Sequence, residues 1–169
     1  TLYSSFRHTF NPRLSVNVDA GGEVNDFGDG TQNTAPYGDM ALNYNYSKDA
    51  IASLGFRYGV TTTEIGNFRS TDTGILFGQV NYRFTPKLLA ALDGLFSYST
   101  YKNPLPSAYP PGTSIPKGQD TVQVGLTVTY EFNRWSSAYL TYSHTEVNAD
   151  LGGNSYTRNN IGLGVNLRY

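Results

Sequence analysis

The sequence predicts an all-β chain, an antiparallel up-and-down transmembrane β-barrel with about nine strands in its 169 residues. Three observations carry that expectation. Apolar and polar residues alternate with a period of two through segment after segment, the pattern of a strand between two unlike media. The connections between segments are alternately short and long. Tyrosine and phenylalanine collect on one face of the strands that run toward the short connections.

The segments fall at 2–10, 13–24, 37–46, 50–63, 73–84, 88–101, 121–132, 135–147 and 157–169. In the first, Phe6 and Phe10 face one way and Arg7 the other. Leu14, Val16, Val18 and Ala20 follow in the second, Met40, Leu42, Tyr44 and Tyr46 in the third, and Ala52, Leu54, Phe56, Tyr58 and Val60 in the fourth. The fifth offers Leu76, Val80, Tyr82 and Phe84; the sixth offers Leu88, Ala90, Leu92, Phe96 and Tyr98. The seventh is the cleanest, with Val122, Val124, Leu126, Val128, Tyr130 and Phe132 against Thr121, Gln123, Gly125, Thr127, Thr129 and Glu131. The eighth is read with Ala138, Leu140 and Tyr142 on the apolar side, which leaves Thr141, Ser143 and Thr145 opposite. The ninth alternates Ile161, Leu163, Val165, Leu167 and Tyr169 with Asn160, Gly162, Gly164, Asn166 and Arg168.

Short connections are Asn11-Pro12-Arg13, Ser47-Lys48-Asp49, Thr85-Pro86-Lys87 and Asn133-Arg134, and long ones are 25–36, 64–72, 103–120 and 148–156. Proline cannot donate to a ladder, and all eight prolines read as turn, loop or strand-edge residues. No segment holds a helical period over three turns.

The repeated apolar band makes one face suited to lipid, and the aromatics give it a height. Phe10, Tyr46, Phe84, Phe132 and Tyr169, with Tyr44, Tyr82 and Tyr130 beside them, form a girdle at the short-turn end. Rings with an apolar body and a polar tip concentrate at a membrane interface, whereas a dry core gives no reason to gather them at one level. The opposite face carries Asp19, Asp39, Arg57, Gln79, Arg83, Asp93, Glu131 and Arg168 among glycines, and these are the expected lumen-lining residues.

Bulk properties exclude other classes. The mean hydropathy is -0.39, and the longest strictly apolar run is 88–92, so no transmembrane helix of about 20 apolar residues fits. A net charge of -1 provides no basic field for nucleic acid. Cysteine is absent, which removes disulfides and thiolate metal sites. Only His8 and His144 are candidate general bases; Ser143 and His144, as strand neighbours, point to opposite faces, and Ser4 with His8 is the other pair considered. No catalytic residue is assigned. Glu23, Asp26 and Asp29 lack the spacing of a calcium loop, Asp26-Phe27-Gly28 has none of the motifs that accompany a kinase triplet, and neither metal nor cofactor is expected. The proline-rich stretch 104–116 is a candidate protein-binding loop.

The last ten residues resemble the closing signal of bacterial outer-membrane barrels: Tyr169 is the terminal aromatic, Leu167 the hydrophobic residue two places before it, and Gly164 lies five before. Phenylalanine is usual at the last place, so Tyr169 is a mild departure. The phrases Asn81-Tyr82-Arg83-Phe84 and Thr129-Tyr130-Glu131-Phe132, with the ending that starts Arg158-Asn159-Asn160-Ile161, are similar to porin-type barrels associated with exopolysaccharide export. The resemblance implies a Gram-negative outer-membrane location, with the lipid bilayer as surroundings. Gly164, Leu167 and Tyr169 would be read by the barrel assembly machinery, and a periplasmic or export-system partner is implied. The expected function is a pore or export conduit for small solutes or polymer. The alternative is a structural or docking barrel with a filled lumen and partner-binding loops, and an outer-membrane enzyme ranks last. Such barrels have even strand numbers. With nine strands, and Thr1 opening in a strand-like pattern without a secretory leader, the chain is expected to be the C-terminal part of a larger, even-stranded barrel.

Overall fold

The computed structural model describes residues 2–26, 32–62, 68–104, 115–150 and 154–168. They form a single nine-stranded sheet whose spatial order is the sequence order: β1 (Leu2–Asn11), β2 (Leu14–Asp26), β3 (Gln32–Ser47), β4 (Ala50–Thr62), β5 (Phe68–Thr85), β6 (Leu88–Pro104), β7 (Gly118–Asn133), β8 (Ser136–Ala149) and β9 (Tyr156–Leu167). Every neighbouring pair is antiparallel. The described sheet is open, with β1 and β9 as its edges.

The four short turns share one construction. Asn11 Oδ1 accepts the amides of Arg13 and Leu14 at 2.8 and 3.0 Å, and Asn133 Oδ1 accepts those of Trp135 and Ser136 at the same distances. Ser47 Oγ accepts from Asp49 at 3.1 Å, and Thr85 Oγ1 from Lys87 and Leu88 at 3.2 and 3.0 Å. A short polar side chain at the first turn position thus replaces the backbone acceptor, which is why Asn, Ser or Thr stands there each time. Just before each turn the register shifts, between Thr9 and Asn11, Asn45 and Ser47, Arg83 and Thr85, and Glu131 and Asn133. The residue skipped is Phe10, Tyr46, Phe84 or Phe132. A bulge at that place bends the strand and turns the aromatic away from the ladder.

At the other end the strands run further than their side-chain alternation. β3 begins at Gln32, β5 at Phe68 and β7 at Gly118, because pairs such as Val24↔Thr34, Thr62↔Ser70 and Thr100↔Gly118 continue the backbone ladder. Amide hydrogen bonds need no apolar alternation, so polar residues that read as loop extend the hairpins. Pro36 lies inside β3, paired with Gly22, but above Gly38, where pairing with β4 starts. Its missing donor therefore interrupts no ladder on the β4 side.

Registration separates the two faces. One outer row runs Leu42, Leu54, Gly78, Gly94, Val124 and another Tyr44, Ala52, Val80, Leu92, Leu126, Tyr142. These side chains are not covered: Leu54 is 53% exposed, Leu92 51% and Leu140 51%. Among the described residues the buried apolar set is Ala35, Ala50, Val60, Phe68, Tyr101 and Val147. A chain of this length folded in water buries a continuous apolar core and rarely leaves an uncovered apolar band of this extent. The exposed band is satisfied if the solvent on that side is lipid.

Candidate functional site: the polar face of the sheet

Asp19, Asp39, Arg57, Gln79, Arg83, Asp93 and Glu131 all project from the face opposite the apolar band, and Arg168 follows Asn166 on the same face just past β9. The register sorts them into groups. Asp19 pairs with Asp39 and Asp39 with Arg57, so two like charges meet across β2 and β3, and the third strand supplies the counter-charge. Arg57 Nε donates to Asp39 Oδ2 at 2.6 Å. The Arg57 guanidinium also stands 6.0 Å above the Phe77 ring, at the outer limit of a cation–π contact.

Further toward the short turns, Gln79 pairs with Asp93 and Asp93 with Gly125. The glycine makes room for the carboxylate, since a Cβ there would sit 2.6 Å from each Asp93 oxygen. Gln79 Nε2 donates to Asn81 Oδ1 at 3.3 Å. Nearer the turns, Arg83 of β5 reaches across β6 to Glu131 of β7, with Nη1 donating to Oε2 at 3.0 Å and Nη2 to Oε1 at 3.4 Å. Its Nη1 also donates to the Pro86 carbonyl at 2.8 Å, which anchors the guanidinium to the turn. Glu131, Asn166 and Arg168 line one cleft there together with Lys87 and Arg134.

A side chain that spans a whole intervening strand, and rings that overhang neighbouring glycines, place the polar side on the inside of the sheet's curl. A Cβ on Gly55 would run into the Phe77 ring, and one on Gly164 into Tyr139. Sequence reasoning passed over Ile75, Phe77 and Leu95, which share the polar face with the charged groups, and Tyr139 lies there too, as the preferred reading of the eighth strand requires. Their phase was available: Leu76 outward fixes Ile75 and Phe77 inward.

The aromatic group is on the apolar face in contacting pairs, Tyr44 with Tyr46 at 6.3 Å, Tyr82 with Phe84 at 4.7 Å and Tyr130 with Phe132 at 5.3 Å between ring centroids. Phe10 meets His8 at 4.6 Å. Gly164 and Leu167 lie on β9, paired with Tyr139 and Ser136; Tyr169 lies outside the described residues, as do Phe27 to Asp29 of the acidic stretch and 105–114 of the proline-rich one. His144 shares Asn159 Oδ1 with the Tyr142 hydroxyl, at 2.8 and 2.9 Å, on the apolar face, while Ser143 pairs with Asn160 on the polar face. Ser4 and His8 stand four positions apart along β1, about 13 Å at strand rise. The structure therefore brings neither serine to its histidine.

Comparison with known proteins agrees with this geometry. A family model described as "Putative beta-barrel porin 2" matches residues 34–169. A loop-deletion mutant of OmpT, an outer membrane protein of Vibrio cholerae, superposes with a TM-score of 0.64 at 18% identity, over 96% of this chain and 51% of that one. The NanC porin superposes with a TM-score of 0.58 at 12% identity, over 99% of this chain and 78% of that one. The chain thus spans about half the length of the first structure. No curated protein sequence matches it.

Proposed function

The chain belongs to the family described as putative beta-barrel porin 2, and on that premise we propose that it forms a water-filled, weakly charge-selective conduit for small solutes or an extended polymer. Its place is the bacterial outer membrane. The observation that carries the proposal is the arrangement of charge on the curled polar face. Arg57 answers Asp39, and Arg83 answers Glu131, each within about one hydrogen bond's length. Neighbouring charges of opposite sign make a wall that holds water without presenting a ring of one sign, and selectivity between ions needs such a ring. The Arg83 and Glu131 side chains are 33% and 42% exposed on the open described sheet.

In this reading the protein passes solutes and does no covalent chemistry. Its partners are the bilayer against the apolar band, the assembly machinery that would read Gly164, Leu167 and Tyr169, and an export or periplasmic component at the short-turn end. The deciding experiment is conductance across a planar bilayer for the intact, inserted protein under a salt gradient. A measurable current with a reversal potential near zero is expected. A folded, inserted protein that carries no current would favour the docking barrel.

A further inference from the structure

Each of the four short turns carries one cation: Arg13, Lys48, Lys87 and Arg134. Strands alternate in direction, so all four stand at the same end, and successive turns are two strands, about 9.6 Å, apart. Arg168 joins them past β9, its amide donating to the Trp135 carbonyl at 2.8 Å. The turns themselves carry one carboxylate, Asp49. This end differs from the wall above it. Arg57 and Arg83 are held by Asp39 and Glu131, whereas none of the five rim cations has an ion-pair partner among the described residues. At the loop end the described residues have the opposite balance, with Glu23, Asp72, Asp120, Glu146 and Asp150 against Lys102, Lys117 and Arg158.

The rim cations gather into two clefts. Arg13 and Lys48 line one with Asn45, and Lys87, Arg134 and Arg168 line the other, of about 530 Å³, with Ser137 and Asn166. Asn45, Ser137 and Asn166 belong to the polar face, so both clefts lie on the lumen side. In the larger one Glu131 is taken up by Arg83, and three cations remain with amide and hydroxyl donors beside them. The Arg134 guanidinium lies 4.5 Å from the centre of the Trp135 ring, a cation–π contact that holds it in place. Converging guanidinium and ammonium groups suit an oxyanion, because charge-assisted hydrogen bonds are about twice as strong as neutral ones. Three cations favour an anion of several charges over one of a single charge. The turns need Asn, Ser or Thr at their first position, and nothing in that construction calls for a cation in each.

We propose that the short-turn mouth binds multivalent oxyanions on its lumen side, chiefly in the cleft of Lys87, Arg134 and Arg168. The inference rests on the conduit reading for its access route and adds a ligand class to it. These groups are exposed, so their field extends about 8 Å at 0.15 M salt and about 3 Å at 1 M; multivalent anions are held at the mouth, while selectivity among monovalent ions stays with the paired wall. The probe is inorganic tripolyphosphate, titrated at low salt against the protein folded in a non-ionic maltoside detergent. Calorimetry reads binding, and so does the fluorescence of Trp135, the single tryptophan, which stands in the cleft. Tripolyphosphate should bind about tenfold or more tightly than methyl sulfate, a monovalent oxyanion, and 1 M salt should weaken it by about tenfold or more. Lys87→Gln and Arg168→Gln should each lower affinity several-fold, and the Lys87→Gln/Arg134→Gln double variant by about tenfold or more; Lys102→Gln, at the loop end, should change nothing. In a planar bilayer the same probe should reduce the current of a single inserted protein from one side only, and the double variant should lose that block. Equal affinity for the two probes, or a double variant that folds to the same heat-modifiable band and binds tripolyphosphate unchanged, would overturn the proposal. Block of equal strength from both sides, or block lost equally in Lys102→Gln, would overturn the placement at the short turns. A protein that binds tripolyphosphate through Lys87 and Arg134 yet carries no current would remove the conduit reading and leave the anion site.

Discussion

Leu126→Arg should destabilise the folded protein in phospholipid vesicles by about 2–4 kcal/mol, the cost of a cation on the lipid face at the bilayer midplane. The depth follows from β7. Asp120 and Tyr130 both project on the outer face, since they pair with Tyr98 and with Leu88; they bracket its apolar run and are about ten residues apart. At about 3.3 Å per residue that is about 33 Å of strand, and a tilt of about 40° leaves about 25 Å along the membrane normal, the height of a barrel's apolar band. Leu126 falls close to the middle, flanked by Leu92 and Tyr142. Two comparators make the test specific. Ser136→Arg, on the same face at the girdle beside Leu167, should cost no more than about 1 kcal/mol because depth matters. Thr127→Arg, one residue along but on the polar face between Ala91 and Thr141, should stay within about 0.5 kcal/mol, as at a solvated surface. Reversible urea unfolding from vesicles, followed through the single tryptophan, Trp135, reads all three. Equal costs at 126, 127 and 136 would refute both the orientation of the faces and the placement of the midplane.

Three further outcomes are expected. Arg83→Glu should move the reversal potential toward cation preference while folding is nearly unchanged, because the Arg83–Glu131 pair is exposed on the described sheet; a severe loss of stability together with zero conductance would mean a buried pair in a filled lumen. Deleting Tyr169 should lower the amount inserted in cells more than it lowers stability in vesicles, and equal losses in the two assays would remove its role in recognition. Gly55→Val must displace the Phe77 ring or the Met40 carbonyl, 2.8 Å from an added Cβ, and should cost about 1–3 kcal/mol. Gly38→Ala, with nothing within 4 Å, should be neutral, so a thermal or urea series in which the two glycines behave alike would contradict the crowding of the polar face.

The period of two made the nine strands legible, and with them the phase of the side chains in their alternating stretches. It was enough to put Asp19, Asp39, Arg57, Gln79, Asp93 and Glu131 on one face, since phase is local. Partners were not legible, because they depend on register and curl. That Arg57 meets Asp39 follows from a two-residue turn, Lys48-Asp49, with a bulge at Tyr46; that Arg83 meets Glu131 depends on bending across β6, which no local pattern encodes. The loop-end extensions were missed for a related reason. Residues such as Thr34, Ser70 and Gly118 extend the ladder through their backbones, and side-chain alternation is silent about them. The repeated order of aromatic, then Asn, Ser or Thr, at 10–11, 46–47, 84–85 and 132–133 was in view throughout, yet its meaning as bulge plus side-chain turn emerges only once the register is known.

Charge selectivity follows from where the cations on the polar face lie. In the middle of the sheet Arg57 and Arg83 are answered by carboxylates on neighbouring strands. At the edges the counter-groups differ: Arg7 of β1 donates to the neutral Asn17 at 2.7 Å, and Arg158 pairs across β8 with Thr145. β1 and β9 run the same way and are the edges of the described sheet, so whatever faces Arg7 and Arg158 decides the balance there: carboxylates would complete a wall that is neutral all round, whereas neutral or basic side chains would leave an electropositive seam opposite the paired centre. A reversal potential shifted toward anions would therefore locate unanswered charge at the seam, and charge-neutral substitutions of Arg7 and Arg158 should abolish the shift while Arg57→Gln should not.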